Sequence, residues 1–333
     1  MSGIQRQIWD HDVVRCRDAL IERAAAARAR PPAPGTQRGV DFYAAPALRE
    51  VVAHSLRRFK RVHGRVPALD GPERLTDKLY LAKFFMPIEV PTLADKLRVG
   101  AAIPAALAAA ARPLPTAWSS PTAALPPDDA LAPGVYWLKA AFGSEMNLKI
   151  DWPPSSAARA AAGHAAGLWL ARPFGLRWGE WWYATAAREV LLCRHLGDRN
   201  ACPYDFKFFV ANDRATYLLV TRYPPDSKRR TRSYYDVDAL RAGVWHKLPF
   251  QFEGSPNPDV PRPAGPAALL AAAEAIGRGR HAVRVDFMLA PDGAIHLAEL
   301  TYCELNALAT YSPATADAGF GRPWNVAQWW PGS

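Results

Sequence analysis

"RVDFMLAPDGAIHLAELTY", Arg284 to Tyr302, is the stretch whose reading decides the fold. Two runs of alternating apolar residues flank Pro-Asp-Gly, the pattern of a β-hairpin. Strand side chains alternate, so Val283, Val285, Phe287 and Leu289 share one face and Arg284, Asp286 and Met288 the other. If Asp292-Gly293 makes a two-residue turn, Pro291 pairs with Ala294. Counting outward then sets Asp286 opposite Glu299 and Arg284 opposite Thr301. Opposed residues have Cβ atoms about 4.5–5.5 Å apart, and like charges there destabilise a sheet. A divalent cation removes that penalty, and hard carboxylate oxygens suit Mg²⁺. The competing account is a three-residue turn with Gly293 bulged. That one-residue slip sends the two acids to opposite faces and leaves a strand edge with one acid paired to Arg284.

The chain around this hairpin has 333 residues, enough for one large domain or two ordinary ones. Half is apolar and 22% charged, the composition of a folded soluble protein. Lys and Arg total 41 against 31 Asp and Glu, a net charge of +10 that favours anionic partners without choosing among nucleotides, acidic polymers, nucleic acid and membrane surfaces. The four cysteines, Cys16, Cys193, Cys202 and Cys303, form no CxxC pair, so neither a disulfide framework nor a zinc site is expected, and a cytoplasmic location is the default. "MSGIQRQIWDHDVVRCRDAL" has no apolar run after its charges, hence no secretory signal. "AAIPAALAAAA" is too short and proline-broken to cross a bilayer.

Helical spacing from about Ile8 to Ala29 precedes a Pro/Gly linker, and "APALREVVAHSLRRFKRVHG" gives a second amphipathic helix ending at Gly64. Its basic residues, Arg57, Arg58, Lys60 and Arg61, read as a solvated face. "LTDKLYLAKFF" is helical, "ADKLRVGAAI" opens another helix, and "RPLPTAWSSPTAALPPDDALAPG" is loop throughout. "VYWLKAAF" and "LKIDW" are strands around "GSEMN", followed by the Ser-started helix "SSAARAAAGHAAGLWLAR". "EVLLCRHL" and "YDFKFFVANDRATYLLVTRY" are strand-rich, "PPDSKRRTRSYYDVD" is a charged loop, and "GPAALLAAAEAIGRGR" is a helix. Helices and strands mingle without a regular βαβ period, so the fold class is α+β.

Three lysines stand where chemistry or packing has to account for them. Lys139 ends an apolar strand just before Gly143-Ser144, where an ammonium beside free backbone N–H groups would suit polyphosphate. A hairpin with a snorkelling lysine explains it equally well. The same choice applies to Lys96 in "ADKLRV" and to Lys207 in "YDFKFF", where Asp205 lies two residues away on the same face and offers an ion pair.

Taken in order, "ADKLRV", "WLKAAFGSEMN", "YDFKFF", "RVDF" and "HLAELTY" resemble an ATP-grasp ligase, specifically the teichuronopeptide-biosynthesis (TupA-like) branch. The resemblance runs from about "LTDKLYLAKF" to "GFGRPW". It implies an ATP-grasp fold, two α+β subdomains gripping a nucleotide. Residues 1–70 would be an N-terminal helical extension and linker, 71–134 the N-terminal part, 135–196 the lid subdomain and 197–333 the metal-binding subdomain. Lys96 and Lys139 would contact ATP phosphates under a lid of Gly143 and Ser144. Cys193, Arg194 and Leu196 would belong to the hinge that meets adenine through its backbone. Asp286 and Glu299 would hold Mg²⁺, with Thr301 where many relatives place asparagine; Lys207 would reach the γ-phosphate or acyl-phosphate, and Arg284 would anchor the acid.

The chain departs from that pattern at Glu145, where a second glycine is usual, at Cys193, where glutamate commonly opens the hinge, and in "CELNALATYSP", which lacks the usual glycine and offers Asn306 as a third metal ligand. The implied activity is ATP-dependent carboxylate–amine ligation, with a nucleotide, an anionic small molecule or surface polymer, and an amine as partners. The basic stretch "RYPPDSKRRTR" either draws in an acidic chain or is a solvated loop. A phosphotransferase, glycan-modifying enzyme or degenerate nucleotide binder on the same scaffold is the alternative. Nucleic-acid binding is remote, since no nucleic-acid motif is present.

Overall fold

The computed structural model describes residues 3–197, 203–223 and 229–331. Two long helices, α1 (Gly3–Arg28) and α2 (Ala45–His63), lead the chain. α2 has a proline in its first turn, and it stops at Gly64, whose left-handed φ of 70° lets its N–H reach the Lys60 carbonyl at 2.8 Å. Its apolar face, including Leu48, Val52, Leu56 and Phe59, joins the main hydrophobic core. Helix α3 (Leu75–Phe85) is buried on every side, lysines included. Lys78 donates to the Gly321 and Trp324 carbonyls at 2.8 and 2.5 Å, which satisfies chain ends that helix α6 (Thr315–Gly321) and its exit leave open.

Strands β1 (Ala111–Pro113), β2 (Thr116–Ser120), β3 (Gly134–Ala140), β4 (Asn147–Trp152) and β5 (Val190–Arg194) follow, with helix α4 (Ser156–Ala171) between β4 and β5. β2, β5, β3 and β4 form a four-stranded sheet in that order. Tyr136, Leu138, Ile150, Val190 and Leu192 turn one face of it towards Ala162 and Ala166 of α4, which Ser155 caps. Strands β6 (Asp205–Ala211), β7 (Arg214–Arg222), β8 (Thr231–Tyr235), β9 (Ala282–Leu289) and β10 (Ile295–Thr301) build the larger sheet, ordered β8-β7-β6-β9-β10-β1. Val283, Val285, Phe287, Phe206, Phe208 and Val210 are buried on its apolar face, which helix α5 (Pro266–Gly277) covers. The mixed α+β class expected from the sequence is what the chain adopts.

The hairpin reaches its expected register by a different route. Its turn is the three-residue one: Gly293 sits at φ 84° and donates to Ala290, and Ala290 donates to Ala294. That alone would slip the acids apart. A β-bulge between Asp286 and Phe287 sets Phe287 against Leu297, absorbs one residue of β10, and restores Asp286 to Glu299 and Arg284 to Thr301. Two departures cancel.

Four other expectations need correction. "ADKLRVGAAI" makes turns and a short 3₁₀ segment, Val99–Ala102, because the Asp95 carboxylate accepts from the Leu97 and Ala187 amides and ties the chain down before a helix can form. The stretch read as loop contains β2 and all but the first residue of β1, short edge strands whose flanking prolines hide the alternation. Lys60 is no part of a solvated face; it is buried and ion-paired with Asp12 at 2.9 Å. The stretch read as a charged loop contains β8, Thr231–Tyr235, which pairs antiparallel with β7; its "PPDSK" part and Cys202 lie outside the described residues.

Gly321 brings α6 against the start of α3: a Cβ there would meet the Glu73 carbonyl and lie 2.6 Å from the Arg74 carbonyl carbon. Backbone cannot yield as a side-chain tip does. Gly321→Ala is expected to lower the urea-unfolding stability by about 1–3 kcal/mol, whereas Gly64→Ala, with open space around it, pays only for its left-handed φ.

Candidate functional site

One row of side chains crosses the polar face of the large sheet: Lys207 on β6 pairs with Asp286 on β9, which pairs with Glu299 on β10. Asp286 is 2% exposed, so its charge needs partners. Its Oδ2 accepts from Lys207 Nζ at 2.6 Å and from Arg284 at 2.7 Å, and its Oδ1 accepts from Arg284 Nε at 2.7 Å. Lys207 also reaches Asp205 at 3.2 Å, and Arg284 reaches Thr301 Oγ1 and Glu304 Oε1, both at 3.2 Å. Burial pushes the Asp286 pKa up, but Arg284 and Lys207 outweigh it and hold it below 3.8. Burial likewise works against the Lys207 ammonium, and Asp205 and Asp286 more than compensate. Glu304, buried and accepting from Tyr217 at 3.0 Å, completes a network the sequence reading did not contain. Neither Lys207 nor Arg284 is a spare cation here. Glu299 differs: it is half-buried and makes no hydrogen bond or ion pair with a described residue.

The facing wall comes from the small sheet. Trp137, Lys139, Leu191 and Cys193 lie on the face away from α4, since Trp137 pairs with Cys193 and Lys139 with Leu191. Lys139 is half-buried and, like Glu299, unpaired among the described residues. Lys96 projects between the two walls. Its amide donates to Ala141 at 3.2 Å, its ammonium to the Gly143 carbonyl. Burial lowers the Lys96 pKa; Glu299 opposes that effect and Lys139 adds to it, so both groups lie within electrostatic reach. Gly143 is buried, and a Cβ there would lie 2.7 Å from the Phe174 ring. Ser144 and Glu145 form the exposed tip, and Glu145 adopts φ 60°, the conformation a glycine takes without strain. Its carboxylate is thus turned to solvent.

At the hinge segment, Cys193 is buried with its thiol 3.9 Å from Thr116 Oγ1, and burial raises its pKa. That is a packed, inert thiol. Arg194 is exposed and sits opposite Tyr136, on the α4 side of the sheet, so only its backbone is available to the face bearing Lys139. Leu196 is half-buried past the strand end, and the His195 amide remains bonded to Val135 at 2.9 Å.

A second cluster escaped the sequence reading. Lys83, buried within α3, donates to Asn306 Oδ1 at 2.9 Å and to the Trp178 carbonyl at 3.3 Å, with its ammonium 4.5 Å from the Tyr80 ring centroid. Burial drops its pKa to about 8. Burial also raises Glu180 to about 7, against the pull of Lys83 and a hydrogen bond with Asn306. Asn306, the candidate third metal ligand, is therefore committed to this pair rather than to the hairpin acids. A lysine in an apolar helix and a glutamate inside "WGEWWY" were the available signals.

Among the described residues no group of three His, Cys, Asp or Glu side chains is placed to hold a metal ion. Glu299 and the Asp286 Oδ1, which accepts only one N–H, are the oxygens that remain. Such a pair fits Mg²⁺, which takes one or two carboxylates and completes its octahedron with water and substrate phosphates. It does not fit a fully protein-caged cation.

No family model matches the chain, and no curated protein sequence does either. Solved structures similar to it include the ATP-grasp ligase PsnB with a minimal precursor (14% identity, TM-score 0.32, covering 63% of this chain and 52% of that one). D-alanyl-alanine synthetase A from Vibrio cholerae (14%, TM-score 0.37, 75% and 63%) and D-cycloserine synthetase DcsG (11%, TM-score 0.33, 69% and 67%) are others. The chain thus spans about half the length of the PsnB chain it matches.

Two substitutions test the electrostatics. Asp286→Asn removes the shared carboxylate of Lys207 and Arg284, leaving them Asp205 and Glu304, and is expected to cost about 2 kcal/mol in urea unfolding at pH 7. Because the folded pKa lies below the unfolded one, Asp286's contribution is full above about pH 4 and is lost as pH falls through the folded value. Glu180 runs the other way: its folded pKa of about 7 exceeds the ordinary 4.5, so ionising it costs stability as pH rises between those values. The stability of Glu180→Gln relative to the parent should therefore rise from pH 5 to pH 7.5; a flat difference would place that carboxylate in solvent.

Proposed function

We propose that the chain is an ATP-grasp enzyme that joins a carboxylate to an amine, with ATP lying between the four-stranded and six-stranded sheets. The observation that carries this reading is the facing of unpaired opposites. Glu299 stands on one wall and Lys139 on the other, with the constrained Lys96 ammonium between them. A magnesium–triphosphate complex supplies the missing partner to each: metal to the carboxylate, anionic oxygens to the lysines.

In this reading Lys96 and Lys139 hold the phosphates under the tip of Gly143 and Ser144, and the backbone from Cys193 through Arg194 to Leu196 lies along adenine. Glu299 and Asp286, with Thr301 beside them, face Mg²⁺, which when bound offsets charge on the transferring phosphoryl group. ATP phosphorylates the acid's carboxylate, and the amine displaces phosphate to give an amide. Lys207 and Arg284 orient the Asp286 oxygens. Arg284 meets a substrate carboxylate only by exchanging one of its present carboxylate partners, Asp286 or Glu304. The polar work is positioning and charge compensation, which needs no nucleophilic side chain.

The finer assignment rests on the sequence motifs alone: the teichuronopeptide-biosynthesis branch, a surface-polymer substrate, and the division at residues 70, 134 and 196. Lys139→Ala and Glu299→Ala should each reduce ADP release roughly 100-fold or more, with unfolding midpoints close to the parent's. ADP release that needs an added amine supports ligation, whereas release without one favours a phosphotransferase. Unchanged turnover in either variant removes that residue from the site.

A further inference from the structure

Beside the nucleotide cleft, α2 presents His54, Arg57, Arg58 and Arg61, spaced i, i+3, i+4 and i+7 on one helical face. With Trp178 they line a hollow of about 360 Å³, a volume in the range of small-molecule sites. Trp178 serves as its aromatic wall: the Arg58 guanidinium lies 4.3 Å from the ring centroid and the His54 ring 5.0 Å away. The His54 Nε2 is buried without a hydrogen-bond partner. Arg177, one residue before Trp178, adds its charge to the effect of the other three arginines on His54, whose proton affinity burial and these neighbours lower.

Three other basic groups on or near α2 are paired instead. Arg49 pairs with Asp18 at 2.8 Å, Lys60 with Asp12 at 2.9 Å and Arg65 with Asp77 at 2.5 Å. Arg57, Arg58 and Arg61 have no hydrogen bond or ion pair with a described residue, and no acidic side chain is among those lining the hollow. Like charges at i, i+4 on a helix work against folding, and their convergence on one concave spot suits an anionic partner that no described residue provides.

We propose that this hollow binds a multiply charged anion, a carboxylate or phosphate cluster on a small molecule, and that it holds the anionic end of the acid substrate. Its position supports the second half of that statement, which rests on the ligase reading; anion binding itself does not. Arg58 acts on both Lys83 and Glu180, and Glu180 in turn feels Glu299. The Trp178 carbonyl accepts from Lys83 at 3.3 Å and from Asn306 Nδ2 at 3.3 Å. A single layer of Lys83, Glu180 and Asn306 thus links the hollow to the wall that carries the hairpin acids. A substrate anchored on the arginines would lie against the outer side of that layer, and only molecules with a second anionic group would be held.

The test is calorimetric titration of the full chain, without metal, using citrate and pyrophosphate as probes. Saturable one-to-one binding of at least one probe is expected, weakened at least tenfold in the double variant Arg57→Gln/Arg61→Gln. Both side chains are exposed, so the fold is not at stake. Tighter citrate binding assigns a carboxylate source and tighter pyrophosphate a phosphate source. No saturable binding, or affinity equal in parent and variant, overturns the proposal. Lys139→Ala separates the two readings. It should keep probe binding while losing affinity for a non-hydrolysable ATP analogue, and the arginine variant should do the reverse. Probe binding lost in Lys139→Ala but kept in the arginine variant would move the anion site to the cleft and overturn the inference.

Discussion

The fold around the site depends on how a carboxylate at 2% exposure is kept ionised. A lone buried charge costs several kcal/mol, and only close, well-directed partners offset that. Asp286 receives three such hydrogen bonds, from Lys207 on the neighbouring strand and from Arg284 on its own. Arg284 then binds Glu304, and Glu304 binds Tyr217, so the network passes from the middle strands to the loop after β10. Charges alternate along it, and each buried group meets its opposite. The constraint is geometric: the network closes only if Asp286 and Arg284 point to the polar face, which pins the register of β9 against β6 and β10.

That register explains the coexistence of a three-residue turn and a bulge. The turn chemistry of Pro291-Asp292-Gly293 favours a left-handed glycine, and alone it would put Glu299 on the wrong face. The bulge at Phe287 restores the pairing and adds local twist to β9 and β10 next to the site. Alternation in "RVDF" and "HLAELTY" made the two strands and their faces legible, because period-two patterning survives any turn. The compensation was not legible, since a bulge leaves no fixed residue signature.

The same division runs through the rest of the chain. Helices with amphipathic spacing or cap residues, α2 with Gly64 and α4 with Ser155, stood out from their own residues. β1 and β2 did not, because prolines and short length mask edge strands. The site divided similarly. Lys96, Lys139 and Glu299 emerged from motif order, but which lysines are paired depends on distant chain segments. Lys207 is neutralised by residues 2 and 79 positions away, and Lys83 donates to an amide oxygen 223 positions away. Long-range partners of this kind carry no local periodicity, so Glu180 and Glu304 stayed hidden among aromatic and apolar neighbours.

The excess positive charge acquires meaning once pairing is known. A net charge of +10 spread over paired surface groups would do little beyond aiding solubility. Here the neighbouring basic groups Lys60, Lys78, Lys83, Lys207 and Arg284 are each satisfied internally. Lys139 on one side of the Lys83–Glu180 layer, and Arg57, Arg58 and Arg61 on the other, have no hydrogen bond or ion pair with a described residue. Glu180 is the group that feels both neighbourhoods, held near neutral pH by burial. Filling either neighbourhood with anion would favour protonation of Glu180 and strengthen the hold of Lys83 on its positive charge.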